Sequence, residues 1–242
     1  MDVTASDNAS FLRVRFAARL LSERPSEVLD VGCGGGQLLA TLRQAGVSVV
    51  GVEADPAKVE QLRAEGYDVR CQEAGGLPFE DRAFDWVAMR HVPHHLEDPA
   101  AGVREAWRVA RRGLLVAEPW YAVEIPSQAA ALEAERWLKA RHRASGMVHG
   151  ENLTAGELLG ALDAVSEESG AFECDVSTLV RLRRRSTEDL IATATPWLAA
   201  LGPDDPARGE WERVLERVAT DGLSWNGSAT VAIERASSNP AP

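Results

Sequence analysis

The order of apolar and polar positions predicts that strands and helices alternate through the first half of this chain. Short, mainly apolar runs at 28–31, 47–53, 85–89 and 113–119 are typical of strands that a parallel sheet buries on both faces. Apolar residues at helical spacing lie before or between these runs, at 10–22, 37–43, 58–65 and 99–111, and a short strand is predicted at 68–71. This alternation predicts an α/β fold with a mostly parallel sheet.

The pattern after residue 119 is mainly helical. Helices are predicted at 127–143, 154–165, 187–201 and 210–220, and strands at 172–182 and 228–234. Thr154 and Glu157 have the spacing of a capping box, which marks the start of a helix. We therefore expect a helical insertion after the fifth strand and two later strands that complete the sheet.

A glycine-rich turn, 32–36, directly follows the first strand and precedes the first helix of the alternating region. Its glycines can adopt positive φ and let main-chain N–H groups approach a ligand at the positive end of that helix. Asp30 would repel a pyrophosphate but would accept hydrogen bonds from an ammonium group. The dinucleotide fingerprint requires glycine at position 37, where Gln37 stands, so a nicotinamide cofactor is disfavoured.

The pattern Asp30-x-Gly32-x-Gly34-x-Gly36 resembles motif I of the class I S-adenosylmethionine (SAM) dependent methyltransferases. Further features between Val28 and Pro119 have the order of that family: an acid, Glu53, ends the second strand, and Phe84-Asp85 begins the fourth. The resemblance is closest to the small-molecule branch, methyltransferase type 11, which includes quinone-biosynthesis and natural-product enzymes.

This resemblance implies SAM as the cofactor and S-adenosylhomocysteine as its product. Asp30, Glu53 and Glu73 would hold the methionine, ribose and adenine parts, and Ala74 would present its backbone N–H to the adenine ring. The remaining predicted cofactor residues are Gly32, Cys33, Gly34, Ala54 and Arg90, with Cys33 as a small apolar filler of the loop. The first helix would cover the cofactor, where Arg13 or Arg15 could reach the SAM carboxylate or could lie on a solvated face.

Three histidines follow the fourth strand, at a sheet edge where ligand crevices form. His91 and His95 are the predicted catalytic residues, because histidine can accept a proton near neutral pH and family members place acceptor-facing residues here. His94 is predicted either to face the acceptor or to be a buried structural residue. If the segment is helical, His91 shares a face with both other histidines. A metal would need a further ligand from elsewhere, so none is predicted.

The predicted acceptor site lies beyond the fifth strand. Trp120 and Tyr121 leave the carboxyl edge of the sheet, where the family builds its acceptor pockets. Met147 and His149 lie in a glycine-flanked loop at 146–150, which is either part of a lid or a plain connector.

Composition narrows the class of partner. The chain has 242 residues and a formal net charge of -11, which argues against a nucleic-acid backbone as partner. One basic run, 181–185, is predicted to be a solvated strand end because acidic residues follow it. Three cysteines without paired spacing predict reduced thiols, and no signal peptide or membrane span is recognisable, so a cytoplasmic monomer or homodimer is expected.

We therefore predict a Rossmann-like, seven-stranded, mostly parallel sheet with an antiparallel last strand and a helical lid after the fifth strand. The predicted segments are 1–27, an N-terminal helix over the cofactor; 28–119, the SAM-binding core; 120–170, the lid and acceptor region; 171–236, completion of the sheet; and 237–242, a tail. The predicted function is methyl transfer from SAM to an O, N or C atom of a small metabolite. The alternatives are a non-methylating reaction on a SAM-binding fold, and methylation of protein or RNA.

Overall fold

A seven-stranded sheet forms the centre of the fold. The computed structural model describes residues 5–169 and 172–236. Its strands are β1 (Glu27–Val31), β2 (Ser48–Glu53), β3 (Val69–Cys71), β4 (Phe84–Arg90), β5 (Ala110–Trp120), β6 (Phe172–Leu179) and β7 (Gly227–Arg235). They lie in the order β3-β2-β1-β4-β5-β7-β6, mostly parallel with antiparallel last strands. The predicted fold class, with the last strand between the fifth and the sixth, is confirmed.

Helices connect most of these strands, close to the predicted positions. They are α1 (Ala5–Ser22), α2 (Gln37–Gln44), α3 (Pro56–Ala64), α4 (Pro99–Val109), α5 (Pro126–Ala144), α6 (Ala155–Ser169), α7 (Thr187–Ala199) and α8 (Pro206–Asp221). The predicted capping box is confirmed, since the Glu157 carboxylate accepts from Thr154 N at 2.8 Å and Thr154 Oγ1 accepts from Glu157 N at 3.2 Å. Local sequence signals therefore set where this helix begins.

The boundary between α4 and β5 differs from the prediction. The helical pattern extends to 111, but α4 ends at Val109 and Ala110 pairs with Phe84 at the start of β4. Arg111 lies on the strand, where its Nη2 is 2.7 Å from Asp85 Oδ1 and 3.2 Å from Glu27 Oε2. Strand pairing and these contacts to β4 and β1 override the helical periodicity.

The chain divides into two compact units. One, the sheet unit, comprises Arg13–Glu118, 152–169, 172–177 and 229–236 of the described residues; the other, the helical unit, comprises 5–12, Pro119–Glu151 and Thr178–Ser228. The five segments predicted from the sequence stay a prediction, and the tail predicted at 237–242 lies outside the described residues.

Alternating side chains of the strands build two cores in the sheet unit. Leu29, Val87 and Val116 belong to one core, which includes residues of α4 and α6. Their neighbours along the strands belong to the other core, which includes residues of α1 and α2; they are Val28, Trp86 and Leu115. Because successive strand residues point to opposite faces, helices on both faces explain why these runs are continuously apolar.

The helical unit has a core of its own, built mainly by α5, α7 and α8. The rings of Trp137 and Trp211 have centroids 4.7 Å apart, and Trp137 Nε1 donates to Ala207 O at 2.9 Å. Trp211 is buried, as expected, whereas Trp197 is partly buried and packs against this core. Among the described residues, no helix has the length and apolarity needed to cross a membrane.

The packing of β4 against β5 generates a stability prediction. A Cβ at Gly113 would lie 2.6 Å from Trp86 Cη2, and Trp86 is fully buried. We expect Gly113→Ala to lower the free energy of unfolding by about 1–3 kcal/mol through overpacking. Chemical denaturation measures this change. Gly160→Ala is the matched control: it lies on α6 with nothing within 4 Å of the added Cβ, so stability should rise slightly or stay equal. Equal stability of both variants would contradict the packing analysis.

Candidate functional site

The turn between β1 and α2 continues the hydrogen bonding of the sheet. The N–H groups of Gly32 and Cys33 both donate to Val52 O, at 2.7 and 2.9 Å, and Gly36 N donates to Cys33 O at 2.9 Å. Gly34 N donates to Glu53 Oε2 at 2.8 Å. In this conformation the protein itself therefore supplies acceptors for these four N–H groups, and the expectation that the turn binds a ligand stays a prediction.

Glycine is nevertheless required in this turn for its lack of a side chain. Gly32 has φ +67°, and a Cβ there would lie 2.5 Å from Val92 Cγ2. Val92 follows β4, so this close approach brings the loop after β1 against the loop after β4. The two loops thereby share one side of a cavity.

This cavity, of about 380 Å³, lies at the carboxyl ends of β1, β2 and β4. It is lined by many of the predicted residues, namely Gly32, Gly34, Glu53, Ala54, Glu73, Ala74, His91 and His95. Sequence reasoning missed Val52, Lys58, Gln72, Val92 and Leu96, which complete the lining. The sequence could have indicated Lys58, because it stands one helical turn after Asp55. In the structure its Nζ lies 3.8 Å from Asp55 Oδ2 and 4.0 Å from Glu53 Oε1.

Asp30 is buried near this cavity, although it is not one of the lining residues. Its Oδ2 is buried without a hydrogen-bond partner in the described part of the chain. Burial raises the pKa of Asp30 to about 7, which the charge of Arg90 opposes and that of Glu53 supports. A buried carboxylate oxygen without a partner is costly, and it suits a cationic ligand.

Arg90 and Cys33 also lie outside the cavity lining. Burial lowers the pKa of Arg90, the charge of Asp30 opposes this shift, and that of Arg13 adds to it. Arg13 is therefore within electrostatic reach of the site, whereas Arg15 is exposed. Cys33 is buried with Leu39, and burial is the main cause that raises its thiol pKa to about 12, so it serves as apolar filler and not as a nucleophile.

The histidine segment is not the helix that the sequence analysis considered. His91 has φ +58° and only Pro93–His95 forms a short 3₁₀ turn. The ring centroid of His94 is nevertheless only 6.4 Å from that of His91 and 4.2 Å from that of His95. A non-glycine residue in this backbone region is uncommon and is found preferentially at functional sites.

Of the two predicted alternatives for His94, the structure shows the buried residue. It is 4% exposed, and its Nδ1 lies 2.7 Å from Glu118 Oε2. Glu118, at the end of β5, also accepts from Leu153 N at 3.3 Å, while its Oε1 is buried without a partner among the described residues. Sequence reasoning missed Glu118. An acidic residue near the end of a buried apolar strand could have indicated that it lies at the site.

The other predicted acceptor residues belong to the helical unit. Trp120 is half-buried, and the Tyr121 hydroxyl donates to Glu135. Met147 is exposed. His149 stacks on His142, with ring centroids 4.8 Å apart and their Nδ1 atoms 2.6 Å apart. The structure thus brings six of the nine predicted cofactor residues together with both predicted catalytic residues in one cavity.

Comparison with known proteins identifies the sheet unit. A family model described as a methyltransferase domain matches residues 29–117. Residues 29–117 therefore form a class I SAM-dependent methyltransferase domain. The chain is 34% identical over 109 residues to a ubiquinone biosynthesis O-methyltransferase of Pseudomonas entomophila, a match that covers 42% of this chain and 47% of that one. The match spans less than half the length of the first curated relatives.

Solved structures share the methyltransferase fold over almost the whole chain. The YcgJ protein of Bacillus subtilis superposes with a TM-score of 0.60 at 17% identity, covering 92% of this chain and 98% of that one. The cyclase SpnF superposes with a TM-score of 0.53 at 23% identity, covering 91% and 80%. These similarities show the fold alone.

The raised pKa of Asp30 generates a prediction about pH. The unfolded carboxyl ionises near pH 3.8 and the folded one near 7. The folded state therefore holds the extra proton between these values, so the contribution of Asp30 to stability falls as pH rises through this window. From pH 5 to pH 8, Asp30→Asn should remove about 2–3 kcal/mol of the wild-type decrease in unfolding free energy, as measured by chemical denaturation.

Asp85→Asn is the control for this prediction. Burial opposes ionisation of Asp85, but hydrogen bonds from Ser26 and Arg111 hold its pKa below its usual range. Both states of that carboxyl are ionised from pH 5 to pH 8, so this variant should lose the same stability at both values. An unchanged pH dependence in Asp30→Asn would show that the buried carboxyl does not titrate in this window.

Proposed function

We propose that this chain transfers the methyl group of SAM to an O, N or C atom of a small metabolite in secondary metabolism, in the cytoplasm. The observation that carries the proposal is the Oδ2 of Asp30, which is buried without a hydrogen-bond partner among the described residues and lies near a cavity lined by Glu53 and the glycine turn. The ligand of such a site carries a cation and hydroxyl groups, and SAM has both. The family of residues 29–117 is consistent with this ligand.

The residues present fit SAM. Asp30 would accept from its ammonium group. The two Glu53 carboxylate oxygens accept from Gly34 N and Asp55 N, and their remaining lone pairs would accept from its ribose hydroxyls. Glu73 and Ala74, which line the same cavity, would hold the adenine. When bound, SAM supplies an activated methyl group on a sulfonium centre. The contribution of the protein is then mainly to align the acceptor and exclude water.

His91 and His95 are placed to take the acceptor proton, because both line the cavity. His94 packs against His95, with ring centroids 4.2 Å apart. The Glu118 carboxylate, 2.7 Å from His94 Nδ1, fixes the orientation of the His94 ring. A neutral imidazole beside the acceptor can act as a base near neutral pH. We assign His94 a positioning role.

A small-molecule acceptor is favoured over a macromolecular one. The net charge of -11 disfavours RNA, and the curated relative from Pseudomonas entomophila is named for ubiquinone biosynthesis. The fold also occurs in SpnF, which is named a cyclase, so a non-methylating reaction is the second candidate. Product analysis with S-adenosylhomocysteine in place of SAM separates the two, because only methyl transfer requires the methyl donor.

Calorimetric titration with SAM, S-adenosylhomocysteine and NAD tests the proposed cofactor. We expect micromolar binding of the first two and none of NAD, and an acceptor screen by mass spectrometry then follows the added methyl group. Binding of NAD, or no heat from SAM, would overturn the proposal.

Glu53 provides a test of how the cofactor is held. We expect Glu53→Gln to weaken SAM binding by about one to two orders of magnitude, which corresponds to the roughly 1.5–3 kcal/mol of charge-assisted hydrogen bonds. Calorimetry measures the affinity, and a thermal melt shows whether the loss of the Gly34 contact alters the fold. Glu60→Gln, an exposed change on α3, is the control and should bind SAM normally. Unchanged affinity in Glu53→Gln would remove this residue from the site.

His95 provides a test of proton transfer. We expect His95→Ala to lower turnover about 100-fold or more while SAM affinity stays intact, because a positioned base contributes this much. The rate is measured across neutral pH with an acceptor from the screen. A variant that keeps the wild-type rate and pH profile would exclude His95 as the base.

A further inference from the structure

The loop between β3 and β4, residues 72–83, carries two predicted cofactor residues, Glu73 and Ala74, to the cavity. At its start, Gln72 N donates to Glu53 O at 3.1 Å, which continues the pairing of β3 with β2. The positions of Glu73 and Ala74 therefore also depend on what holds the remainder of this loop. Two side chains of α4 hold it.

Arg108, in the last turn of α4, binds three points of the β3–β4 loop. Its Nη2 donates to Leu77 O at 3.0 Å, and its Nη1 donates to Phe79 O and to Asp81 Oδ1, each at 2.8 Å. A guanidinium is planar and has five donors in a fixed arrangement, so contacts to several acceptors at once fix the backbone of the loop. The loop is thus attached to α4 as well as to β2.

Glu105, one turn before Arg108, holds both the arginine and the loop. Its Oε1 accepts from Arg108 Nε at 2.9 Å, and its Oε2 accepts from Arg108 Nη2 at 2.8 Å and from Leu77 N at 3.0 Å. One ion pair therefore binds both backbone polar groups of Leu77. Hydrogen bonds from Arg108 lower the pKa of Glu105, so both partners are charged at neutral pH.

Gly102, one turn before Glu105, allows the cavity wall to approach α4 closely. A Cβ at Gly102 would lie 2.3 Å from Leu96 Cδ1 and 3.9 Å from Ala74 Cβ, and both residues line the cavity. A glycine inside a helix is destabilising relative to alanine, so its presence here fits a packing requirement. Residues 102, 105 and 108 are spaced by three and therefore lie on one face of α4.

We propose that Gly102, Glu105 and Arg108 are positioning residues for the cofactor. They keep Glu73 and Ala74 in place at the end of the cavity where the adenine of SAM would bind, so this inference rests on the proposed function. None of the three is among the described residues that line the cavity, so each acts through the residues that contact it. A loop that is ordered before the cofactor arrives binds it more tightly, because its conformational entropy is not lost on binding.

Hydrogen exchange of the loop tests its attachment to α4 without any ligand. In Arg108→Met, which removes every donor of the side chain, the backbone amides of 72–83 should exchange about tenfold faster or more. Arg104→Gln is the matched control, because Arg104 lies on the same helix and its Nη2 is 3.9 Å from Asp98 Oδ2. Exchange in the control should match the wild type. Equal protection of the loop in Arg108→Met and the wild type would overturn the inference.

Two cofactor analogues test whether the loop positions the adenine. S-adenosylhomocysteine carries the adenine, whereas S-ribosylhomocysteine has only the ribose and amino-acid parts; calorimetry measures the affinity of the first, and its displacement measures that of the second. We expect Arg108→Met to weaken S-adenosylhomocysteine binding about tenfold or more and to leave S-ribosylhomocysteine binding unchanged. Arg108→Lys keeps the charge without the fork and should bind S-adenosylhomocysteine with intermediate affinity. An equal loss for both analogues would show a general structural effect and contradict the positioning role.

A double-mutant cycle tests Gly102. Gly102→Ala should push Leu96 toward the cavity and weaken S-adenosylhomocysteine binding about fivefold or more. Added to Leu96→Ala, the same substitution should have no further effect on affinity, because the atom that the new Cβ meets has been removed. An equal loss in both backgrounds would contradict the packing argument.

Calorimetry on the wild-type chain separates this inference from the proposed function. SAM binding by the wild type, together with faster loop exchange and the adenine-specific loss in Arg108→Met, supports both. SAM binding by the wild type with unchanged loop exchange in Arg108→Met overturns the positioning role alone. No SAM binding by the wild type overturns the proposed function and, with it, the assignment of the adenine to this end of the cavity.

Discussion

Parallel pairing of β1 with β2 and with β4 is the constraint on which the candidate site depends. The register aligns Asp30 with Gly51 on one side and with Ala88 on the other, so all three strands end at the same edge of the sheet. The glycine turn extends this pairing, because Gly32 and Cys33 both donate to the carbonyl of Val52. Glu53 and the histidine segment reach the cavity because their strands stop there. A turn that closed differently would lose the approach to Val92 and one wall of the cavity.

The ionisable groups at this edge are costly for the folded state. Asp30 and Glu118 each have a buried oxygen without a partner in the part of the chain that the structure describes, and burial raises the pKa of Asp30. A hydrophobic core of the same volume would avoid this cost. Such strained or partnerless groups are found preferentially where a ligand supplies the missing interaction, and the positive φ of His91 in the same region fits this view.

Sequence similarity to known proteins covers only part of the chain, whereas the shared fold extends over almost all of it. The family match at 29–117 lies within the sheet unit, and the curated relatives match over less than half of their length. The predicted cofactor residues lie in the sheet unit, whereas four of the predicted acceptor residues, Trp120, Tyr121, Met147 and His149, lie in the helical unit. The family match at 29–117 therefore does not name an acceptor for this chain.

The sequence by itself determined the order of strands and helices, the glycine turn and the cap at Thr154, because each depends on backbone preferences within a few residues. It also indicated many of the residues that line the cavity, since parallel strands of an α/β sheet end at one edge. Only the tertiary structure decided that Glu118 holds His94 and that Trp137 packs against Trp211. It likewise decided that β5 begins at Ala110. It also decided that four N–H groups of the glycine turn donate to acceptors within the protein. These outcomes depend on partners that are distant in sequence, and local spacing carries no information about which distant side chains packing will bring together.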